Sequence, residues 1–250
     1  MADFRVHVGD AAADAPELAL SREESHHLVA VNRARAGAPV TAFDGRGREW
    51  LCELARADKN AARLRVLSSR AAAGVRLRIT LAQAVPLGGA MDGIVRRATE
   101  LGAARVIPLE TERTQARFAT GGGGERKVGK WRVAALEAAK QCGNAWLPEV
   151  GEARTLGDFL REERGGLKLV ASLHAGSLPL KKALSDFRAR QGGRAPEDAT
   201  WLVGPEGDFS PAEMRAAADA GFVPVTLGPL VLRCETAATC AIALLLHEAG

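Results

Sequence analysis

The period of the apolar pattern changes once along the chain, near residue 74, and a single change of that kind calls for two differently built parts. Ahead of it, short apolar or alternating runs occur at Phe4 to Val8, Pro39 to Phe43, Glu49 to Leu54 and Ala61 to Leu67, with Asp44-Gly45 as a tight turn between two of them. One helix-like stretch, Ser25 to Ala36, interrupts the strands, and Ser68 to Gly74 reads as a linker. Short strands at this spacing suit a small β-barrel. Beyond the change, strand-like runs at Leu77 to Val85, Arg105 to Leu109, Leu167 to Leu173, Trp201 to Gly204 and Val223 to Leu227 alternate with helical ones. The helical stretches are Met91 to Leu101, Lys127 to Gln141, Leu180 to Arg190, Pro211 to Ala220 and Glu235 to Ala249. Strand–helix alternation predicts an α/β domain on a largely parallel sheet. Gly102 and Gly221 stand where a left-handed helix end wants glycine.

Composition supports two folded parts and removes several classes. The 250 residues are 47% apolar and 26% charged, enough for a sizeable core. Aromatics are 4% with no Tyr, so Ala, Leu and Val must fill that core. The longest nearly apolar run, Ala237 to Leu246, falls far short of the roughly 18 residues of a membrane span. Met1 to Arg5 has no apolar stretch of a secretory signal, so a cytoplasmic protein with no membrane partner is expected. Cys52, Cys142, Cys234 and Cys240 form no CxxC pair, and no Cys/His cluster has zinc spacing, so no metal is expected. No GxGxxG or GxSxG occurs, and Gly121 to Gly124 lacks the GK[ST] of a phosphate cradle, which leaves a surface loop there.

Net charge is +4, and Arg supplies most of the 34 basic residues. From Arg96 to Lys140 ten Lys/Arg face five Asp/Glu, whereas residues 1–70 carry eleven against ten. An anionic partner should therefore touch the middle of the chain, with particular arginines added from the first domain.

Two segments carry the chemistry. In Trp201 to Met214 a buried strand runs into Gly204-Pro205-Glu206-Gly207 and then into a helix with clear start signals: Ser210 as N-cap, Pro211 at the first position and Glu213 closing a capping box. Ligands of open α/β sheets sit at such strand ends. The two glycines serve either the turn alone or a ligand, and Glu206 is either a solvated acid or part of a site. In Val225 to Ala238 a strand meets Gly228-Pro229, an apolar loop, and a helix apolar around nearly its whole circumference, which predicts burial on all sides in the core or at a subunit interface. Arg233 and Glu235 flank that helix start, either as a surface ion pair or as a pair held between loop and helix.

These two segments resemble the signature motifs of the SPOUT methyltransferases, and specifically the family that methylates N3 of one uridine in 16S (small-subunit) ribosomal RNA. Gly204-Pro205-Glu206-Gly207 and Leu232-Arg233-Cys234-Glu235-Thr236-Ala237 are its most specific part. Arg5-Val6-His7 and His27 to Arg33 are similar to a PUA-like RNA-binding domain, and Gln83 to Pro86, Ala98 to Gly102, Glu112 to Thr114 and Glu137 to Gly143 to the middle motifs. The resemblance implies a PUA-like β-barrel over residues 1–72 and a trefoil-knotted α/β methyltransferase domain over 75–250, with the knot at approximately 200–250. It implies S-adenosylmethionine as cofactor, small-subunit rRNA in the assembled subunit as substrate, and a homodimer through the C-terminal helix. The cofactor would be held by Leu173, His174, Gly204, Pro205, Glu206, Gly207, Leu227, Gly228, Pro229 and Leu232.

Arg233 is expected to orient the base and stabilise charge on a uracil oxygen, with Glu235, or else Glu206, as the proton acceptor. RNA contacts are expected from Arg5, Arg22, Arg33 and Arg35 in the first domain and Arg96, Arg97, Arg113, Arg117 and Arg126 in the second. The chain departs from the family in having Leu87, Asn144 and Leu230 where a basic residue is usual, and Asn32 where an aliphatic one is. Alternatives are a 2′-O-ribose RNA methyltransferase on the same fold and a non-catalytic RNA-binding ribosome-assembly factor.

Overall fold

A computed structural model describes residues 4–115, 124–174 and 176–249. By its internal contacts the chain divides into two compact units, residues 1–74 with 136–147, and residues 75–135 with 148–250.

The first unit is built on a five-stranded sheet of β1 (Phe4–His7), β2 (Glu17–Ala19), β3 (Pro39–Phe43), β4 (Arg48–Arg56) and β5 (Arg63–Ala71), ordered β1-β3-β4-β5-β2. All its pairings are antiparallel except β1 with β3. Alternation puts Val40, Ala42, Trp50, Cys52, Leu54 and Leu64 into one core with Val6, Leu18 and Leu28. Trp50 is fully buried, and its indole N–H donates to Ala13 O at 3.3 Å.

Two expectations need correcting here. Ser68 to Ala71 is strand rather than linker, because β5 runs on as the partner of Arg48 to Leu51. The helix also lies earlier than the apolar periodicity suggested. The Ser21 side chain accepts from Glu24 N–H and starts α1 (Arg22–His26), a π-helical turn continues to Val31, and Arg33 then takes a left-handed φ of 57°.

Charged groups are buried within this unit in pairs. Glu49 meets Arg5 at 2.8 Å and Arg70 at 2.7 Å, and Arg5 also donates to Gly143 O and lies 5.2 Å from the Phe43 ring centre. Glu24 accepts from His7 N–H and pairs with Lys140. Burial by itself would raise the Glu49 carboxyl, but the hydrogen bonds and charges of Arg5 and Arg70 outweigh it and hold the group below its ordinary value. A lowered folded value means that the unfolded chain takes up the proton first. The stabilisation is therefore complete above the unfolded value, near 4.3, and disappears as pH falls through the lower folded one. We expect the gap in Tm between the wild type and Glu49→Gln to be constant from neutral pH down to about 5 and to close on further acidification. A gap independent of pH in thermal melts would count against this role.

The second unit carries an eight-stranded sheet: β6 (Arg78–Ala84), β7 (Arg105–Glu110), β8 (Glu149–Val150), β9 (Arg154–Thr155), β10 (Leu167–Ala171), β11 (Leu178–Pro179), β12 (Asp198–Val203) and β13 (Val223–Thr226). Its order is β11-β13-β10-β12-β6-β7-β8, with β9 also on β7, and every pairing is parallel. The helices are α2 (Ala90–Glu100), α3 (Gly124–Cys142), α4 (Leu156–Glu162), α5 (Leu180–Arg190), α6 (Pro211–Asp219) and α7 (Cys234–Ala249). The sheet is covered on both faces, which is why β6 reads as an unbroken buried run. One face packs Leu81, Trp201, Leu169 and Val225 against residues of α2, α5 and α7, and the other packs Ala82, Leu109, Val170 and Leu202 against Phe159 of α4 and Ala217 of α6.

The capping box at Ser210 and Glu213 forms as the sequence indicates. Gly102 and Gly221 take φ values of 76° and 88°. The short elements β8, β9, α4 and β11 gave no readable signal, because two residues, or seven in α4, are too few to show a period. In the single chain Ala238, Ala241, Ile242 and Leu245 of α7 are buried, while Thr236, Leu244 and His247 on the opposite side are exposed. Among the described residues no helix is long and apolar enough to cross a membrane, and no group of three His, Cys, Asp or Glu could hold a metal ion.

Candidate active site

Strands β13, β10 and β12 are neighbours and run in the same direction, so the loops that leave them emerge side by side. Ser172 and Leu173 follow β10, Gly204 to Asp208 follow β12, and Leu227 to Glu235 follow β13. Together with Leu87 and Ala90, just before and at the start of α2, they enclose a pocket of about 550 Å³. That volume is in the range of small-molecule sites, and the position is where open parallel sheets bind ligands.

The first turn is held from several sides. Gln83, fully buried on β6, donates from Nε2 to Val203 O and Gly204 O at 3.4 Å each and to Ala84 O at 2.8 Å. Arg113 donates to Gly207 O, and Glu206 Oε1 accepts from Leu87 N–H at 2.9 Å. Asp208 N–H donates to Pro205 O at 2.9 Å with its own φ at 60°, and His174 Nε2 lies 3.3 Å from Asp208 Oδ2. The glycines fit closely: a Cβ on Gly204 would lie 3.1 Å from Asp208 Oδ1, and one on Gly207 would lie 3.2 Å from Arg113 Cδ, so these side chains would have to shift slightly. The second turn is tied by Thr226, whose Oγ1 donates to Gly228 O at 2.9 Å and accepts from Gly228 N–H at 3.2 Å.

The pocket wall is mostly aliphatic, and its charges are unequal. Among the described residues, Glu206, Asp208 and Glu235 face it with Arg233 as the sole basic side chain in the lining. The Cys234 thiol registers this: burial first, then the negative charges of Glu206, Glu235 and Asp208, push it up to about 11. Such a lining suits a largely apolar ligand that carries positive charge.

Of the residues expected to hold a cofactor, Leu173, Gly204, Pro205, Glu206, Leu227 and Leu232 line this pocket, as do Arg233 and Glu235. His174 stands behind Asp208, and Gly207 lies under Arg113. Gly228 and Pro229 shape their loop without lining the cavity. Arg233 is exposed and, among the described residues, forms no ion pair, so it is not bonded to Glu235. Sequence reasoning missed Ala90, Ser172, Asp208 and Val231. Only Asp208 carried a signal, as the residue after the glycine turn.

The arginines expected to meet RNA divide. Arg22, Arg33, Arg35, Arg97 and Arg126 are exposed, and Arg96 is half-buried. Arg5 pairs its guanidinium with Glu49 and donates to Gly143 O within the first unit. Arg113 likewise buttresses the Gly207 turn. Arg117 lies outside the described residues, as do Gly121 to Gly123.

Two family models match the chain: an RNA methyltransferase domain over residues 74–246 and an RNA methyltransferase PUA domain over residues 20–67. A relative from Mycobacterium bovis, ribosomal RNA small subunit methyltransferase E, is 33% identical over 223 residues, 88% of this chain and 82% of its own. Among solved structures, a methyltransferase of Legionella pneumophila in complex with its bound cofactor S-adenosylmethionine superposes with a TM-score of 0.88 at 32% identity, covering 100% of this chain and 99% of its own. A ribosomal RNA small subunit methyltransferase E from Neisseria gonorrhoeae bound to S-adenosylmethionine gives 0.85 at 26% identity, covering 98% and 97%.

Proposed function

Because the chain belongs to the ribosomal RNA small subunit methyltransferase E family, we propose that it methylates N3 of one uridine in 16S rRNA with S-adenosylmethionine as donor. The observation that carries the reading is the three-loop pocket: about 550 Å³, largely aliphatic, with three carboxylates against one arginine. The residues present fit this donor. A sulfonium and an ammonium suit the acidic lining, and backbone groups of the Gly204 and Leu227 to Leu232 loops can meet adenine and ribose without charged side chains.

Bound S-adenosylmethionine supplies an electrophilic methyl on sulfur. The chain's own groups must present the uracil N3 to it and manage one proton. Uracil N3–H is a weakly acidic imide, so nucleophilicity rises as the proton leaves and negative charge spreads to the ring oxygens. Arg233, exposed at the pocket and free of ion pairs among the described residues, has the planar fork to bind one of those oxygens. Glu235, two residues on at the start of α7 and also facing the pocket, is assigned the proton. Much of the acceleration would come from holding N3 in line with the methyl in a walled site.

RNA would be gathered by the exposed Arg22, Arg33 and Arg35 of the PUA-like domain, taken as residues 1–72, and by Arg97 and Arg126 of the methyltransferase domain, taken as 75–250. The exposed Leu244 side of α7 supports a homodimer through that helix, and an rRNA substrate supports a cytoplasmic protein. The test is mass spectrometry of nucleosides digested from small-subunit rRNA of cells with and without the gene. Loss of 3-methyluridine on deletion is expected. Loss of a 2′-O-methyl nucleoside instead would reassign the acceptor atom, and an unchanged nucleoside set would favour an assembly factor.

A further inference from the structure

The pocket has a fourth wall that comes from far away in the chain. Pro86 to Gly89 crosses from β6 to α2 and contributes Leu87, with Ala90 behind it. The buried Pro86 anchors the start of the segment and Ala90 N–H donates to Leu87 O across a 3-10 turn, but little else within the segment holds it. Gly88 and Gly89 take φ values of 67° and 87°, in open space where a Cβ would meet nothing within 4 Å, and α2 starts without a side-chain cap. Two consecutive left-handed glycines give the segment wide backbone freedom. Leu87 itself is 46% exposed, so packing does not fix it either. Among the described residues, the one polar tether the segment makes to the opposite wall is the 2.9 Å hydrogen bond from Leu87 N–H to Glu206 Oε1, which spans 119 residues of sequence. The tether is charge-assisted, and it places a carboxylate three residues before a helix start, where negative charge is favoured.

We infer that Glu206 is a positioning residue: its carboxylate latches the Pro86–Gly89 crossing onto the Gly204–Asp208 turn and so sets the width of the donor pocket. Glu206 then moves no proton, and the acceptor role falls to Glu235. The latch rests on the reading of this pocket as the methyl-donor site. Its mechanical part, however, concerns the free protein and is measurable there.

The discriminating pair is Glu206→Ala, which removes the acceptor, and Glu206→Gln, which keeps a side-chain oxygen in place without the charge. Hydrogen exchange on the free protein reads the tether: Leu87 to Ala90 amides exchange faster in the Ala variant, while the Gln variant recovers protection. Calorimetry with S-adenosylmethionine reads the pocket. The Ala variant binds about tenfold or more weakly, as loss of one charge-assisted hydrogen bond implies, and the Gln variant recovers to within about fivefold. In steady state the Ala variant shows its deficit in the donor KM, and the Gln variant recovers part of that KM. Equal exchange at Leu87 in all three proteins, or donor binding by the Ala variant as tight as the wild type's, overturns the latch. So does a Gln variant that binds donor but loses about 100-fold in kcat, because that pattern belongs to a proton acceptor. If the wild type fails to bind donor, the pocket reading falls, while the exchange contrast still decides the tether.

Discussion

Arg233→Ala is expected to bind S-adenosylmethionine within about threefold of the wild type and to transfer methyl groups at least about 100-fold more slowly, the scale on which removing one preorganised electrostatic group acts. The physical basis is the state of the guanidinium before RNA arrives. It is exposed at the pocket, it has no carboxylate partner among the described residues, and the nearby acid Glu235 is not bonded to it. A cation left unneutralised beside an acidic lining is available for charge that develops on a bound base. Donor binding should be indifferent to its loss, because removing a positive charge does not disfavour a cationic ligand. Arg233→Lys should recover only part of the rate, since a point charge does not reproduce the planar fork. Single-turnover rates at saturating donor, read beside calorimetric affinities, test this directly. Equal rates for Arg233→Ala and the wild type would remove Arg233 from the chemistry.

The second large effect concerns the first unit. Glu24→Ala should destabilise that unit by about 3–5 kcal/mol, the cost of leaving one member of a buried pair without its counter-charge. Glu24 and Lys140 have side chains only 8% and 14% exposed, and Glu24 also accepts from His7 N–H on β1, so the carboxylate is shared by three parts of the unit. The stranded ammonium of Lys140 is the dominant cost, which makes a second variant decisive. Replacing both residues together, Glu24→Leu with Lys140→Met, should recover most of the loss, because a well-packed apolar pair does not carry the desolvation of two charges. Urea unfolding followed by exchange protection of the β1 to β5 amides measures both. A loss below about 1 kcal/mol in Glu24→Ala would show that water reaches the pair.

What was legible in the sequence was legible for local reasons. The capping box at Ser210 and Glu213 needs only neighbours three residues apart, and the helix it starts is where the residues put it. The buried strands β6, β10 and β12 announce themselves as apolar runs because a parallel sheet is covered on both faces. A division near residue 74 follows from the change of period, whereas the place of residues 136–147 in the first unit does not. The helix at Ser25 to Ala36 was misplaced because periodicity sees apolar residues, whereas α1 is started by a Ser21 cap ahead of them and is polar over most of its length. The partners of Arg5 and Arg113 were not legible, because a sequence counts charges without showing what they meet: Glu49 lies 44 residues from Arg5, and Gly207 lies 94 from Arg113.

By itself the sequence determined the two glycine-proline turns, the strands that lead into them and the helices that leave them, since each depends on short-range backbone preference and period. Tertiary structure alone decided that β10 inserts between β12 and β13 and brings Ser172 and Leu173 into the middle of the site. It alone brought Leu87 to Glu206 across 119 residues and left Arg233 without an ion-pair partner among the described residues while three carboxylates gathered around Cys234. Strand order and long-range pairing depend on how whole faces are buried together, and a linear pattern does not carry that information.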